Sequence, residues 1–457
     1  MNFKTLSILL FIITPLASIL NSTVTVVIII LAIILSLKND IFFCCTVIAV
    51  TNFNGLMQLN GLPFLRFSVE IFIYFLMFIK IILLVTKVRI KTNLLATLVS
   101  LFILISIVSL TINGFQHDWL FIGLSIKDFI LPLLSFFYFL FCFSKKNSYS
   151  EHDINQIINF MLLSIATVSA LSIVNYIYPI SINYNRFVIP EGLSDETLAA
   201  SRSIGSLDLI RMQSLFGLST QGAASCLYAI SIMVILTGKT HLNLSKFSIY
   251  YIFFSCLIAG ILSGAFTFYF TILLYLACFL YRKNKKQLKI FIYPLLILLI
   301  ITFSFINIKI NNNTEEINLI YYAYSGFIEP ALDKFYNMQF YQLFIGIGLY
   351  PKLYWLNLGD VHLKEYYFRY IYDNWILGVF FQLGIIGGTL FVGIILRVFY
   401  SYKSSSEIYT ILICSLISIL GFAHGTFIID KLFIIKAMCL ISLLIKNENF
   451  NNYNMQK

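Results

Sequence analysis

The sequence predicts an all-α polytopic membrane protein with about 14 transmembrane helices and two long loops on the outer face. Three observations predict it. Hydrophobic residues make up 60% of the 457 residues and charged residues only 11%, against about 25% charged in an average soluble domain. Mean hydropathy is +0.90. Apolar runs near the ~20 residues that a bilayer core requires recur along the chain, and Lys/Arg clusters occupy alternate short connections. Such a chain has too few charged side chains to cover itself with a solvated surface.

The apolar runs centre near Phe11, Ile30, Ile48, Leu76, Phe102, Leu134, Ile165, Ala229, Cys256, Leu274, Ile297, Ile385, Ser415 and Ala437. Short polar connections join most of them as helical hairpins. The first run, MNFKTLSILLFIITPLASIL, imitates a signal peptide, but TVTVVIIILAIILSL follows almost at once, which reads as a retained first span. Segment by segment, residues 1–178 hold the N-terminal spans, 179–213 the first outer loop and 214–306 the central spans. Residues 307–375 form the large outer loop, and 376–457 the last spans with a cytoplasmic tail.

A net charge of +11 invites a nucleic-acid reading, yet the positions of the charges exclude nucleic acid as a partner. Lys87, Arg89 and Lys91 follow one apolar run, and Lys145 and Lys146 another. Lys239 and Lys246 bracket a third connection, and RKNKKQLK carries Arg282, Lys283, Lys285, Lys286 and Lys289. Positive charge in alternate connections is the positive-inside pattern. It places both termini in the cytoplasm and the loops 179–213 and 307–375 on the outer face, the periplasm if the cell has two membranes. Lys80, inside the fourth span, is expected to snorkel inward. Lys127 and Asp128 are expected to pair locally.

Chemistry is constrained by what the chain lacks. It has no Walker P-loop and no GxGxxG, since GIGLYP at 346–351 lacks the third glycine. It also has no HExxH and no His/Cys pair at metal-ligand spacing, so neither a cofactor nor a metal is expected. The eight cysteines all fall in apolar runs, which argues against a disulfide framework. An enzyme of this composition, working on the outer face without nucleotide, needs a substrate that arrives activated.

The first candidate group is Arg211, which opens RMQSLFGLSTQG just before the eighth span. A guanidinium at a helix entrance suits a phosphate, because its planar fork donates in bidentate fashion; the alternative is an arginine snorkelling to lipid headgroups. Arg202 and Arg186 lie in the same loop and are weaker candidates. In EYYFRYIYDNW, residues 365–375, Arg369 and Asp373 are spaced to share a helix face. They either pair with each other or divide the work, the arginine on phosphate or sugar and the acid as base or orienter. His424 and Asp430 near the outer end of the thirteenth span complete the ionisable set, and an intramembrane His is functional or simply packed.

Together these features resemble the O-antigen polymerase (Wzy) family. RMQSLFGLSTQG is similar to that family's R-x10-G loop pattern, with Arg211 and Gly222 at its ends. DNWILGVFFQLGIIGG, residues 373–388, is similar to the re-entry of the second loop in polymerases and O-antigen ligases. The same spacing from Arg369 reaches Phe380, so a second R-x10-G is absent, and SGAF stands where many relatives have Ser-Arg. The resemblance implies a GT-C-like glycosyltransferase that takes undecaprenyl-pyrophosphate-linked oligosaccharide from the membrane lipid phase, with a chain-length regulator protein as partner. It implies catalytic roles for Arg211, Arg369, Asp373 and His424, and substrate contacts for Arg202, Gly222, Arg186 and His362. His362, in DVHLKEYYF, keeps the ligase as an alternative, and a flippase or other transporter is a third reading.

Overall fold

The computed structural model describes residues 3–53, 55–58, 63–86, 93–114, 119–144, 151–178, 219–237, 244–263, 338–349 and 375–402, with shorter pieces elsewhere. The architecture is helical. Among the described residues, six helices are long and apolar enough to cross a membrane: Phe3–Leu20, Ser68–Val85, Leu94–Asn113, Ile126–Ser144, Asn155–Ile177 and Gly378–Val398. Thr23–Ser36, Asp40–Asn52 and Lys246–Leu262 are shorter apolar helices. The expected centres Phe11, Ile30, Ile48, Leu76, Phe102, Leu134, Ile165, Ala229, Cys256 and Ile385 all fall on described helices. Leu274, Ile297 and Ser415 lie outside the described residues.

The short polar connections that separate the apolar runs also cap the helices. Asn21 Oδ1 accepts from the Thr23 amide at 2.7 Å and Asn39 Oδ1 from the Ile41 amide at 2.8 Å. Asn93 Oδ1 accepts from the Leu95 amide at 2.8 Å, and Ser245 Oγ from the Ser248 amide at 3.1 Å. Each satisfies one of the amides that a first helical turn leaves unpaired. Hydroxyls within the apolar helices bond backward to their own carbonyls, as Thr46 does to Phe42 O and Ser106 to Phe102 O, both at 2.8 Å. A helix thereby carries polar side chains into an apolar core without leaving their donors unsatisfied.

The helix Glu151–Ile177 is a central post. It packs against Asp40–Asn52, Ser219–Thr237 and Lys246–Leu262. Asn52 Nδ2 donates to Ser164 Oγ at 2.7 Å, a polar tie between helices in a medium where apolar burial supplies little preference for one partner over another. At the opposite edge Leu94–Gly114 packs along Trp375–Tyr402. Aromatic rings fill the space between helices, with Phe43, Tyr138 and Phe136 wholly buried. Phe43 and Tyr138 meet edge to face at 5.6 Å.

Two lysines behave differently from each other. Lys127 and Asp128 pair as expected, at 3.2 Å. Lys80 does more than snorkel: its Nζ lies 2.7 Å from Asp40 Oδ1, 3.1 Å from the Leu37 carbonyl and 5.1 Å from the Phe43 ring centre. The turn between two neighbouring helices offers a carboxylate and a helix-end carbonyl at that depth, so the ammonium is held by protein.

The non-helical regular pieces among the described residues are two short antiparallel hairpins, Ser203–Ile204 with Leu207–Ile210 and Asn307–Lys309 with Glu316–Asn318. The first lies within 179–213 and the second within 307–375, the segments expected as outer loops.

Candidate functional site

Of the candidate residues, Arg211, Arg369, Asp373, His424, Arg202, Arg186 and His362 lie outside the described residues. Gly222 is described: it is buried in the first turn of Ser219–Thr237. The residues around Arg211 are also informative. Met212, its chain neighbour, is 1% exposed, and its amide donates to the Leu262 carbonyl at 2.9 Å. Leu262 ends its helix, so its carbonyl has no partner within that helix, and the chain after Arg211 supplies one.

Three residues on, Leu215 is anchored from two sides. Its amide donates to Ser172 Oγ at 2.9 Å, and its carbonyl presses on Gly55. A Cβ built on Gly55 would sit 1.8 Å from that carbonyl oxygen, so only glycine admits this approach. Met212 and Leu215 are thus held by the end of Lys246–Leu262, by Ser172 of Glu151–Ile177 and by Gly55 beside the Leu56–Gln58 turn. Upstream, Ser203 pairs with Ile210 in the hairpin. Arg202 and Arg211 are the chain neighbours of those two paired residues.

A second locus was not legible in the sequence. Within 307–375, expected as an outer loop, the helix Phe340–Ile345 packs against the long helix Trp375–Tyr402. That long helix is broken at Gly384, where φ is 65° and ψ −170°. The Ile347 amide donates to the Phe381 carbonyl at 2.8 Å and the Gly348 amide to the Gln382 carbonyl at 3.2 Å. Asn113 Nδ2 donates to the Gly346 carbonyl at 3.2 Å, Ser109 Oγ to the Gln382 carbonyl at 3.0 Å and Ser125 Oγ to the Leu349 carbonyl at 2.8 Å. Backbone groups freed by the break are therefore met by a clasp of side chains and a neighbouring backbone. Non-helical backbone at membrane depth requires that cover.

Glycine makes the clasp possible. Gly346, with φ 81°, would place a Cβ 2.2 Å from the Gln382 backbone, and Gly384 would place one 2.3 Å from the Phe344 backbone. Gln382 itself is 1% exposed, and its side-chain Oε1 is buried without a hydrogen-bond partner. A buried acceptor left so costs about 1–3 kcal/mol. The oxygens of Asn52 and Asn159 share that condition, but both stand on uninterrupted helices.

Sequence reasoning passed over Glu70 as well. It is 7% exposed within the span Ser68–Val85, on the inward face with Val69, Ile73, Tyr74 and Met77. A lone carboxylate in an apolar run was the available signal. For the clasp the only signal was GIG at 346–348 and the glycine at 384, which hydropathy reads as ordinary loop and span.

Comparison with protein-family models, curated proteins and solved structures found no match. The class that the helices define is consistent with a helical membrane protein.

Proposed function

We propose that the chain is a membrane glycosyltransferase that joins undecaprenyl-pyrophosphate-linked oligosaccharide repeat units into polysaccharide on the outer face of the bacterial inner membrane, in the manner of the O-antigen polymerases it resembles. The observation that carries the reading is the anchoring of Met212 and Leu215 by Leu262 and Ser172. It supports the reading by fixing the residue next to Arg211, whose guanidinium is then taken to meet a lipid-borne pyrophosphate. Arg211 holds the pyrophosphate, and Arg202 and Arg186 add positive charge along the same loop.

In the reaction the bond from the anomeric carbon to the pyrophosphate oxygen breaks. A hydroxyl of a second lipid-linked unit forms the new glycosidic bond, and its proton passes to a base, with Asp373 and His424 as the candidates. Charge developing on the departing pyrophosphate is stabilised by Arg211, with Arg369 on a second phosphate or a sugar. The donor is activated before it arrives, so the reaction draws on no nucleotide at the outer face. Testing this requires the polysaccharide ladder of cells carrying Arg211→Ala beside the protein's abundance in the membrane. A full ladder at normal abundance overturns the assignment, and loss of even the single capped unit in a deletion strain favours the ligase or a flippase instead.

A further inference from the structure

The break at Gly384 meets the helix Phe340–Ile345, and Gly346 to Leu349 and Phe381 to Gly384 are buried at the crossing. Gly384 lies nine residues beyond Trp375, about 14 Å along the axis at ~1.5 Å per residue. It falls inside the apolar span Gly378–Val398. The Phe381 and Gln382 carbonyls at this crossing each accept from a named partner, yet the Gln382 side-chain oxygen, beside the break, has none. A carboxamide oxygen is acceptor-only, so whatever completes it carries an O–H or N–H donor. The positive-φ glycines at 346, 348 and 384 let the two backbones approach more closely than other residues would allow.

We propose that the Gln382 carboxamide oxygen is a substrate subsite: it accepts a hydrogen bond from a sugar hydroxyl of the lipid-linked glycan when the clasp formed by Gly346 to Leu349 opens toward the outer loop. This rests on the glycosyltransferase reading and adds the group that distinguishes glycan from bare lipid. The pyrophosphate end is left to Arg211, so glycan and phosphate are held by different segments. Broken membrane helices that expose acceptor groups to a ligand are a known use of such geometry.

The test uses the full-length protein in lipid nanodiscs, titrated separately with undecaprenyl pyrophosphate carrying the oligosaccharide repeat and with undecaprenyl pyrophosphate alone. Wild type binds the glycan-bearing lipid more tightly. Gln382→Met, similar in length but lacking the acceptor, weakens that binding about tenfold, the scale of one lost hydrogen bond, and leaves the bare lipid unchanged. Gln382→Glu keeps an acceptor oxygen and retains the preference. Wild-type affinity for both lipids in Gln382→Met overturns the subsite and leaves a buried water as the oxygen's partner. Equal binding of the two lipids by wild type overturns it too. Failure of wild type to bind either lipid overturns the glycosyltransferase reading and the subsite with it. If Gln382→Met does not fold, amide exchange in the wild type decides: the Ile347 and Gly348 amides change protection with the glycan-bearing lipid alone, and an unchanged pattern overturns the proposal.

Discussion

Lys80 reaches from the helix Pro63–Val85 to Asp40 in the first turn of Asp40–Asn52, Nζ to Oδ1 at 2.7 Å. Both side chains are mostly covered, at 13% and 22% exposed, and the ammonium also takes the Leu37 carbonyl. Removing the lysine takes this ammonium from a carboxylate in a poorly solvated setting.

Lys80→Met is expected to destabilise the protein by about 1.5–3 kcal/mol, the range for a hydrogen bond to a charged group. Asp40→Asn added to Lys80→Met recovers part of that loss, because the carboxylate that the lysine balanced is neutralised. Unfolding in detergent for the two single variants and the double variant measures the coupling. Additive losses mean that the pair contributes nothing beyond its separate parts.

Orientation is tested through the Lys/Arg clusters, of which Lys87, Arg89 and Lys91 follow the span Ser68–Val85 in the chain. Reporter fusions at Lys145 and Lys285 are expected to read cytoplasmic and those at Ser206 and Asn312 to read outer-face. An outer-face signal at Lys285 reverses the orientation and moves both loops away from the proposed chemistry.

Glycine substitutions separate close approach from ordinary helix propensity. Gly384→Ala puts a methyl 2.3 Å from the Phe344 backbone at a left-handed φ of 65°, and a destabilisation above about 1–3 kcal/mol is expected from the strained backbone alone. Gly123→Ala meets nothing within 4 Å in its helix, and alanine there is expected to stabilise by up to about 1 kcal/mol. Thermal unfolding of the two variants reads the contrast. Equal behaviour would mean that the crossing at Gly384 is loose.

Activity and seating are separable around Arg211. Arg211→Ala is expected to lower polymerisation by roughly 100–1000-fold at normal abundance, by analogy with loss of a donor to a developing oxyanion. Arg211→Lys restores part of it, since lysine keeps the charge and loses the planar fork. Ser172→Ala instead orphans the buried Leu215 amide, at a cost of about 1–3 kcal/mol, so abundance falls and the ladder with it. Ladder length beside immunoblotted protein distinguishes the two classes.

The same readout resolves Arg369. If it pairs with Asp373, Asp373→Ala reproduces Arg369→Ala and both lower abundance. If Arg369 holds substrate, abundance is kept while the ladder shortens, as the proposed role requires.

The helices at Phe102, Ile165 and Cys256 were legible because a membrane span is a local property. About 20 apolar residues match the hydrocarbon thickness, and that length is countable along one dimension. The caps at Asn21, Asn39, Asn93 and Ser245 were legible in kind, as short polar connections between apolar runs. Lys127 with Asp128 needed only adjacency. The seat beside Arg211 was not legible, because Met212 finds Leu262 and Leu215 finds Ser172 only once separate hairpins have packed.

Composition, apolar run length and alternating positive charge therefore determined by themselves that this is a helical chain suited to a membrane, and where most of its described helices lie. Tertiary structure alone decided which ends meet: Lys80 on Asp40, Asn52 on Ser164, and Ser109 on a carbonyl 273 residues away at Gln382. The physical reason is that lipid rewards every apolar helix face nearly alike. The choice of neighbour then falls to sparse polar groups and to glycines such as Gly55, Gly346 and Gly384 that let backbones touch, and these leave no periodic mark in the sequence.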